Sequence, residues 1–403
     1  MRSAIVLDVP LPGGVSTKVR NSAGRADVAI TGEVRTSMRF LFPVLLACVV
    51  VVASPSGVLA QGAAPHTVIL ADGTKKTGEI SAELATGIKI KIAGKEETID
   101  RAKVARVEYR DLPGGIGTGD RMLGTNPVKA AEAYGQAGKA GNTPALHKPR
   151  AFYGQGRALV RAGRFAQAAA AFKDCLDADP KGWFLADATR EGVRAWIRAG
   201  EPKKGVEMAT AAAALCSPAG IATDTADLVK AEALEADGKR KEAADVYVKL
   251  AASRDPQIQQ RAELGRGRSD LADGNTSSAE SKFKKLLGAK DVDRAVRAGA
   301  ARGVADTLMK GANAKTNAAV LRQAATAYSE AASIHFPGPD DPTTDREGAL
   351  TGLAECYEAL AALASANKTG QERYLEMAKT IREEITTLYP PLAARGAASE
   401  GED

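Results

Sequence analysis

Large rings and imidazoles are scarce in this chain of 403 residues, where Tyr, Phe and Trp together make up 4% and only three histidines occur. His66, His147 and His335 stand far apart in the sequence, none in a metal-ligand spacing and none beside a nucleophile motif. Carboxylates are plentiful, but in stretches such as Ala378 to Thr386 they are interspersed with bases, the pattern of exposed helical surface. The expectation is a protein that is not an enzyme and carries neither cofactor nor metal. Cysteine is also rare. Cys48, Cys175, Cys216 and Cys356 lack the paired spacing of a zinc site or a redox motif. The last three read as buried thiols, with a Cys175 to Cys216 bridge left open for an oxidising compartment.

What is present is helical in texture. The apolar 44% is dominated by alanine and leucine, in segments also rich in Lys, Glu and Arg, the composition of closely packed helices. The net charge of +6 is not concentrated where it would suit a polyanion. Residues 1 to 60 hold six bases (Arg2, Lys18, Arg20, Arg25, Arg35, Arg39) and three acids (Asp8, Asp27, Glu33), leaving 6 − 3 = +3 for the rest. Nucleic acid is not an expected partner.

From Met38 the chain reads MRFLFPVLLACVVVVASPSGVLAQG: one base, an uncharged apolar run from Phe40 to Ala53, the breakers Pro55 and Gly57, and small residues to Ala60. This is the layout of a secretory signal, and the run is shorter than the roughly 20 residues a spanning helix needs. The expected signal is 38–60, cut after Ala60, with residues 1–37 a disordered or non-native extension ahead of a true start at Met38. Two alternatives stay open: Leu45, Leu46, Ala47 and Cys48 fit a lipobox, and the segment could persist as an uncleaved anchor. The expected location is the periplasm or cell envelope.

Residues 66–110 read as a small β module. Thr67 to Leu70 leads into Asp72-Gly73, a hairpin-turn dipeptide; Ile88, Ile90 and Ile92 alternate with Lys89 and Lys91; Gly94 makes another turn. Five short strands predict a small barrel, and the arrangement resembles Sm-like and SH3-like modules. RNA binding would need a basic surface bearing aromatics, whereas residues 66 to 109 hold eight bases, seven acids and one aromatic, Tyr109. A docking or spacer role fits better. Residues 111–124, with four glycines between Gly114 and Gly119, read as a flexible linker, since no Gly-Lys-Ser/Thr follows to make a phosphate loop.

Residues 125–390 carry a repeat. In Arg150 to Pro180 the order is Phe152, Gly156, Leu159, a turn Gly163, then Ala168, Phe172 and Pro180, with Cys175 in place of a small residue. Turn glycines recur at Gly163, Gly200, Gly238 and Gly274, intervals of 37, 38 and 36 by subtraction, and a small residue follows each by five: Ala168, Gly205, Ala243, Ala279. Aromatics return at Phe172, Tyr247 and Phe283, with Ala209 in the degenerate second unit. Antiparallel helices pack closely only where small side chains sit at the crossing. This pattern resembles the tetratricopeptide repeat. The resemblance implies a mainly α fold, a TPR-like α-solenoid of about six helical hairpins, after which 391–403 is expected to be a disordered acidic tail.

In such a solenoid the first helix of each hairpin lines the inner wall. Basic residues recur there: Arg150, Arg157 and Arg161, then Arg190, Arg194 and Arg198. Arginine holds carboxylates in a planar fork, so these six are the candidate partner-binding residues, for a protein or acidic peptide segment. The expected function is a protein-interaction scaffold. A membrane-tethered envelope component and an unrecognised hydrolase are the alternatives.

Overall fold

The computed structural model describes residues 65–216, 221–311, 316–334 and 345–389, all within one compact unit, Ala60–Asp403. The expected signal, the extension before it, the acidic tail and His335 lie outside the described residues.

Five strands come first: β1 (His66–Leu70), β2 (Lys75–Leu84), β3 (Gly87–Ile92), β4 (Lys95–Asp100) and β5 (Val104–Glu108). All pairings are antiparallel and the order is β4-β3-β2-β1-β5. The strands fall where alternation placed them, and Gly73 and Gly94 take positive φ at the turns, as L side chains rarely do. The barrel, however, does not close, because β4 and β5 remain edges. Connections between the later helices complete the core instead: Val68, Ile80, Ile88, Ile90 and Ile99 pack with Leu146 and Trp183. Ala85 N donates to Lys181 O (3.0 Å), and Trp183 N donates to Glu83 O (2.9 Å). The sheet is thus a wall built onto the repeats and not a free-standing spacer.

The described helices number fourteen and form seven hairpins, each helix packing on the next. They are α1 (Gly114–Met122) with α2 (Pro127–Lys139), α3 (Lys148–Arg161) with α4 (Phe165–Ala178), α5 (Leu185–Arg198) with α6 (Pro202–Leu215), and α7 (Ile221–Ala236) with α8 (Arg240–Leu250). Then follow α9 (Pro256–Ala272) with α10 (Thr276–Gly288), α11 (Arg294–Lys310) with α12 (Ala318–Ile334), and α13 (Asp345–Leu363) with α14 (Lys368–Leu388). This is the TPR-like solenoid, one hairpin longer than expected. The additional helix, α1, is the segment read as a linker. Its glycines make contacts: Ile116 is buried, and a Cβ on Gly119 would collide with the Tyr134 ring.

Each turn glycine ends its helix in one way. Gly163 has φ 72°, its N–H bonds Val160 O (3.0 Å), and Arg164 N bonds Leu159 O (2.9 Å). That is the Schellman arrangement, which satisfies two terminal carbonyls and reverses the chain. Gly200, Gly238 and Gly274 repeat it. Past the turn, Ala168, Ala243 and Ala279 are fully buried. Rings of the second helices press onto glycines of the first helices: Tyr134 on Gly154, Phe172 on Gly156, Tyr247 on Gly265, Phe283 on Gly303, Tyr328 on Gly352. Where Ala209 replaces the ring, Met208 fills the space against Gly192. Each fit pins one hairpin to its own or its neighbour's backbone, so the spacing of small residues sets the stack.

The Cys175 to Cys216 bridge left open by the sequence is not formed; Cys175, Cys216 and Cys356 are all free. No described helix is long and apolar enough to cross a membrane.

Candidate partner-binding groove

First helices of five successive hairpins, α5, α7, α9, α11 and α13, line a cavity of about 650 Å³ together with Tyr247 and Tyr328. Six bases face it (Arg194, Arg198, Arg261, Arg268, Arg302, Lys310) against four acids (Glu232, Glu235, Asp306, Asp345). The periodicity that builds the turns also builds this wall. Six residues before each turn glycine (163 − 157, 200 − 194, 238 − 232, 274 − 268) stand Arg157, Arg194, Glu232 and Arg268. One position per repeat, carried along the inner face, becomes a row of charges, three arginines and one glutamate.

The row is cross-linked. Arg194 on α5 forks onto Glu232 of α7, Nε to Oε2 and Nη2 to Oε1, each 2.9 Å. Burial alone would raise the Glu232 carboxyl, but Arg194, supported by Arg261 and Arg268, outweighs it and holds the group below the usual range. Arg268 donates to Asp345 of α13 at 2.5 Å, and Arg302 lies 3.5 Å from the same carboxylate. Arg198 reaches Glu347 of α13 at 3.2 Å, 149 residues away in sequence, so the superhelix curves until its third and seventh hairpins touch across the groove. Arg261 differs: burial and then Arg194 push its guanidinium below its ordinary value, and its ion pair with Asp293 is long, 3.9 Å.

Of the six arginines proposed from sequence, the cavity brings together two, Arg194 and Arg198. Arg190 turns to Asp187 (2.7 Å) and Glu191 (3.4 Å) on its own helix. Arg161 donates to Leu123 O (3.1 Å), tying the end of α3 to the α1–α2 loop. Arg157 lies on α3, ahead of the five lining helices, and outside this cavity. Arg150 sits at the sheet, its guanidinium 4.5 Å above the Tyr109 ring and donating to the Tyr109 hydroxyl (2.8 Å). Arg261, Arg268, Arg302 and Lys310 were missed. The six-before-glycine rule finds Arg268, whereas α11 has no turn glycine to index Arg302.

A second polar cluster surrounds Arg150. The Tyr109 hydroxyl donates to Glu83, and Arg150 lies 3.9 Å from that carboxylate. Burial pushes the Glu83 carboxyl up to about 7, with Arg150 lowering and Asp179 raising it. His147, fully buried, bonds Asp111 through Nε2 (3.1 Å), and His66 Nδ1 lies 3.6 Å from the same Asp111 oxygen. Burial lowers the His147 imidazole below its ordinary value. Two histidines distant in sequence are therefore neighbours in the fold, ring centroids 6.4 Å apart. Among the described residues, no group of three or more His, Cys, Asp or Glu is placed to hold a metal ion.

No family model matches the chain, and no curated protein does. Among solved structures it is similar to a tetratricopeptide repeat protein from Parabacteroides merdae, at 14% identity over 68% of this chain and 96% of that one, TM-score 0.45. It is also similar to pilF of Pseudomonas aeruginosa, at 17% identity over 62% and 97%, TM-score 0.37. A third likeness is the TPR domain of P58(IPK), at 14% identity over 68% and 99%, TM-score 0.20. Scores at this level leave the fold resting on the helix geometry itself.

Proposed function

We propose that the protein is a non-catalytic scaffold that holds a partner protein by an acidic segment in the groove between α5 and α13. The observation carrying this reading is the excess of bases, six against four acids, that five separate helices converge on one cavity. Low local dielectric strengthens a fork between arginine and a partner carboxylate there, and desolvation of the arginines disfavours an empty groove. The arginines bonded internally set the shape of the wall. Arg261, whose charge its surroundings oppose, is the residue for which an incoming carboxylate brings the most relief.

The test is fluorescence anisotropy of a labelled deca-glutamate peptide on the full chain and on R261S and R198S forms. Each substitution is expected to weaken binding about tenfold, about 1.4 kcal/mol, with a fall in affinity as salt rises. Equal binding by all three forms, or equal binding of deca-glutamine, rejects the groove. We further propose that the scaffold works outside the cytoplasm, by virtue of the signal between Met38 and Ala60. Mass spectrometry of the mature N-terminus checks it: a start at Gln61 supports export, an acylated Cys48 or a start at Met38 supports tethering, and an intact Met1 rejects both.

A further inference from the structure

The groove already contains acids that belong to the chain itself. Helix α13 opens Asp345-Arg346-Glu347-Gly348. Arg268 of α9 and Arg302 of α11 converge on Asp345, while Arg198 of α5 takes Glu347. Three hairpins thus place guanidinium groups on two carboxylates of a fourth.

Glycines cut the seat for this contact. A Cβ on Gly299 would come within 3.1 Å of both the Arg268 guanidinium and the Asp345 carboxylate. A Cβ on Gly348 would collide with the guanidinium of Arg302. Arg346, between the two acids, turns away from the groove to Glu384 (2.6 Å) and Ala332 O (3.2 Å), anchoring the turn from behind.

We infer that Asp345 and Glu347 are a built-in acidic occupant of the groove, and that an acidic partner segment binds by displacing the first turn of α13 from Arg198, Arg268 and Arg302. This rests on the groove being an acidic-peptide site. A ligand shifts an equilibrium only by its differential affinity for two states. The closed state offers an acidic segment Arg261, whose ion pair with Asp293 is long, and the open state offers three more arginines. The partner that opens the clasp is therefore one with several carboxylates in a row, not a single terminal one.

The experiment uses the full chain in a Cys48→Ser, Cys216→Ser background, with nitroxide labels at Thr210→Cys on α6 and Thr380→Cys on α14, both exposed. Deca-glutamate affinity and the label-to-label distance are measured for the parent, for D345N/E347Q, and for G348A. The last keeps every charge, displaces only the flexible end of Arg302, and serves if the double variant fails to fold. The expected result is peptide binding about tenfold tighter in D345N/E347Q and a smaller gain in G348A. In the parent, the distance lengthens on saturation with peptide. Equal affinity in all forms with an unchanged distance overturns the inference and leaves the groove reading standing. Absence of binding to any form overturns both.

Discussion

Glu83 and Glu232 are both drawn out of water beside an arginine, yet their carboxyls move in opposite directions. At Glu83, burial dominates and Arg150 is the one opposing base, itself shared with the Tyr109 hydroxyl, so the group rises to about 7. At Glu232, Arg194 grips both oxygens and two more arginines stand behind it, so the group falls. Counter-charge, three arginines at Glu232 against one base at Glu83, separates the two centres. The sheet junction is a place where a proton can reside near neutrality, and the groove is a lattice of ions that stays charged.

The largest expected effect breaks the lattice. Arg194→Met leaves Glu232 without its fork and should cost about 3 kcal/mol, the lower end for a broken buried pair because both groups keep some solvent; urea midpoints measure it. Next comes the junction. A carboxyl whose folded value lies above its unfolded one stabilises below the unfolded value, near 4.5, and loses that contribution as pH rises through about 7. Wild type should therefore lose about 2 to 3 kcal/mol between pH 4.5 and 8 from this group, and Glu83→Gln should abolish that slope. His147 acts the other way: its lowered value gives stability that is complete above the ordinary histidine range and lost as pH falls through the folded value. Replacing it with Gln should flatten the acid limb of the same titration. The smallest effect is a control outside both centres. Lys173→Ala removes an exposed pair with Asp177 one turn away and should change stability by no more than about 0.5 kcal/mol. A loss as large as that of Arg194→Met would erase the distinction between surface and groove.

The stack was legible because its determinants are local and repeated. Gly163, Gly200, Gly238 and Gly274 announce the turns, and Ala168 or Phe172 announce the crossings, each within a few positions of the other. What escaped depended on surroundings. The run from Gly114 to Gly119 looks like a joint by composition and is helical because Tyr134, on the next helix, needs flat backbone to lie against. A β module with five strands suggests closure, and Leu146 and Trp183, far along the chain, reveal that something else fills its core. Of the arginine stripe on α5, Arg194 and Arg198 line the cavity and Arg190 does not, and whether a guanidinium meets a partner or an acid of its own chain depends on superhelical curvature. Arg198 and Glu347, 149 residues apart, meet through that curvature, and no window of sequence contains it.

The bonds from β2 to the α4–α5 loop bear on how the molecule is made. Hairpins of helix close with neighbours a few dozen residues away and can settle as the chain emerges. The sheet cannot, since Glu83 awaits Trp183, 183 − 83 = 100 residues later. Contacts of long reach form slowly and leave apolar strands uncovered in the interval. The sheet, made ahead of every described helix, is thus among the last elements to be sheltered, and truncation ahead of α5 should yield a fragment that aggregates.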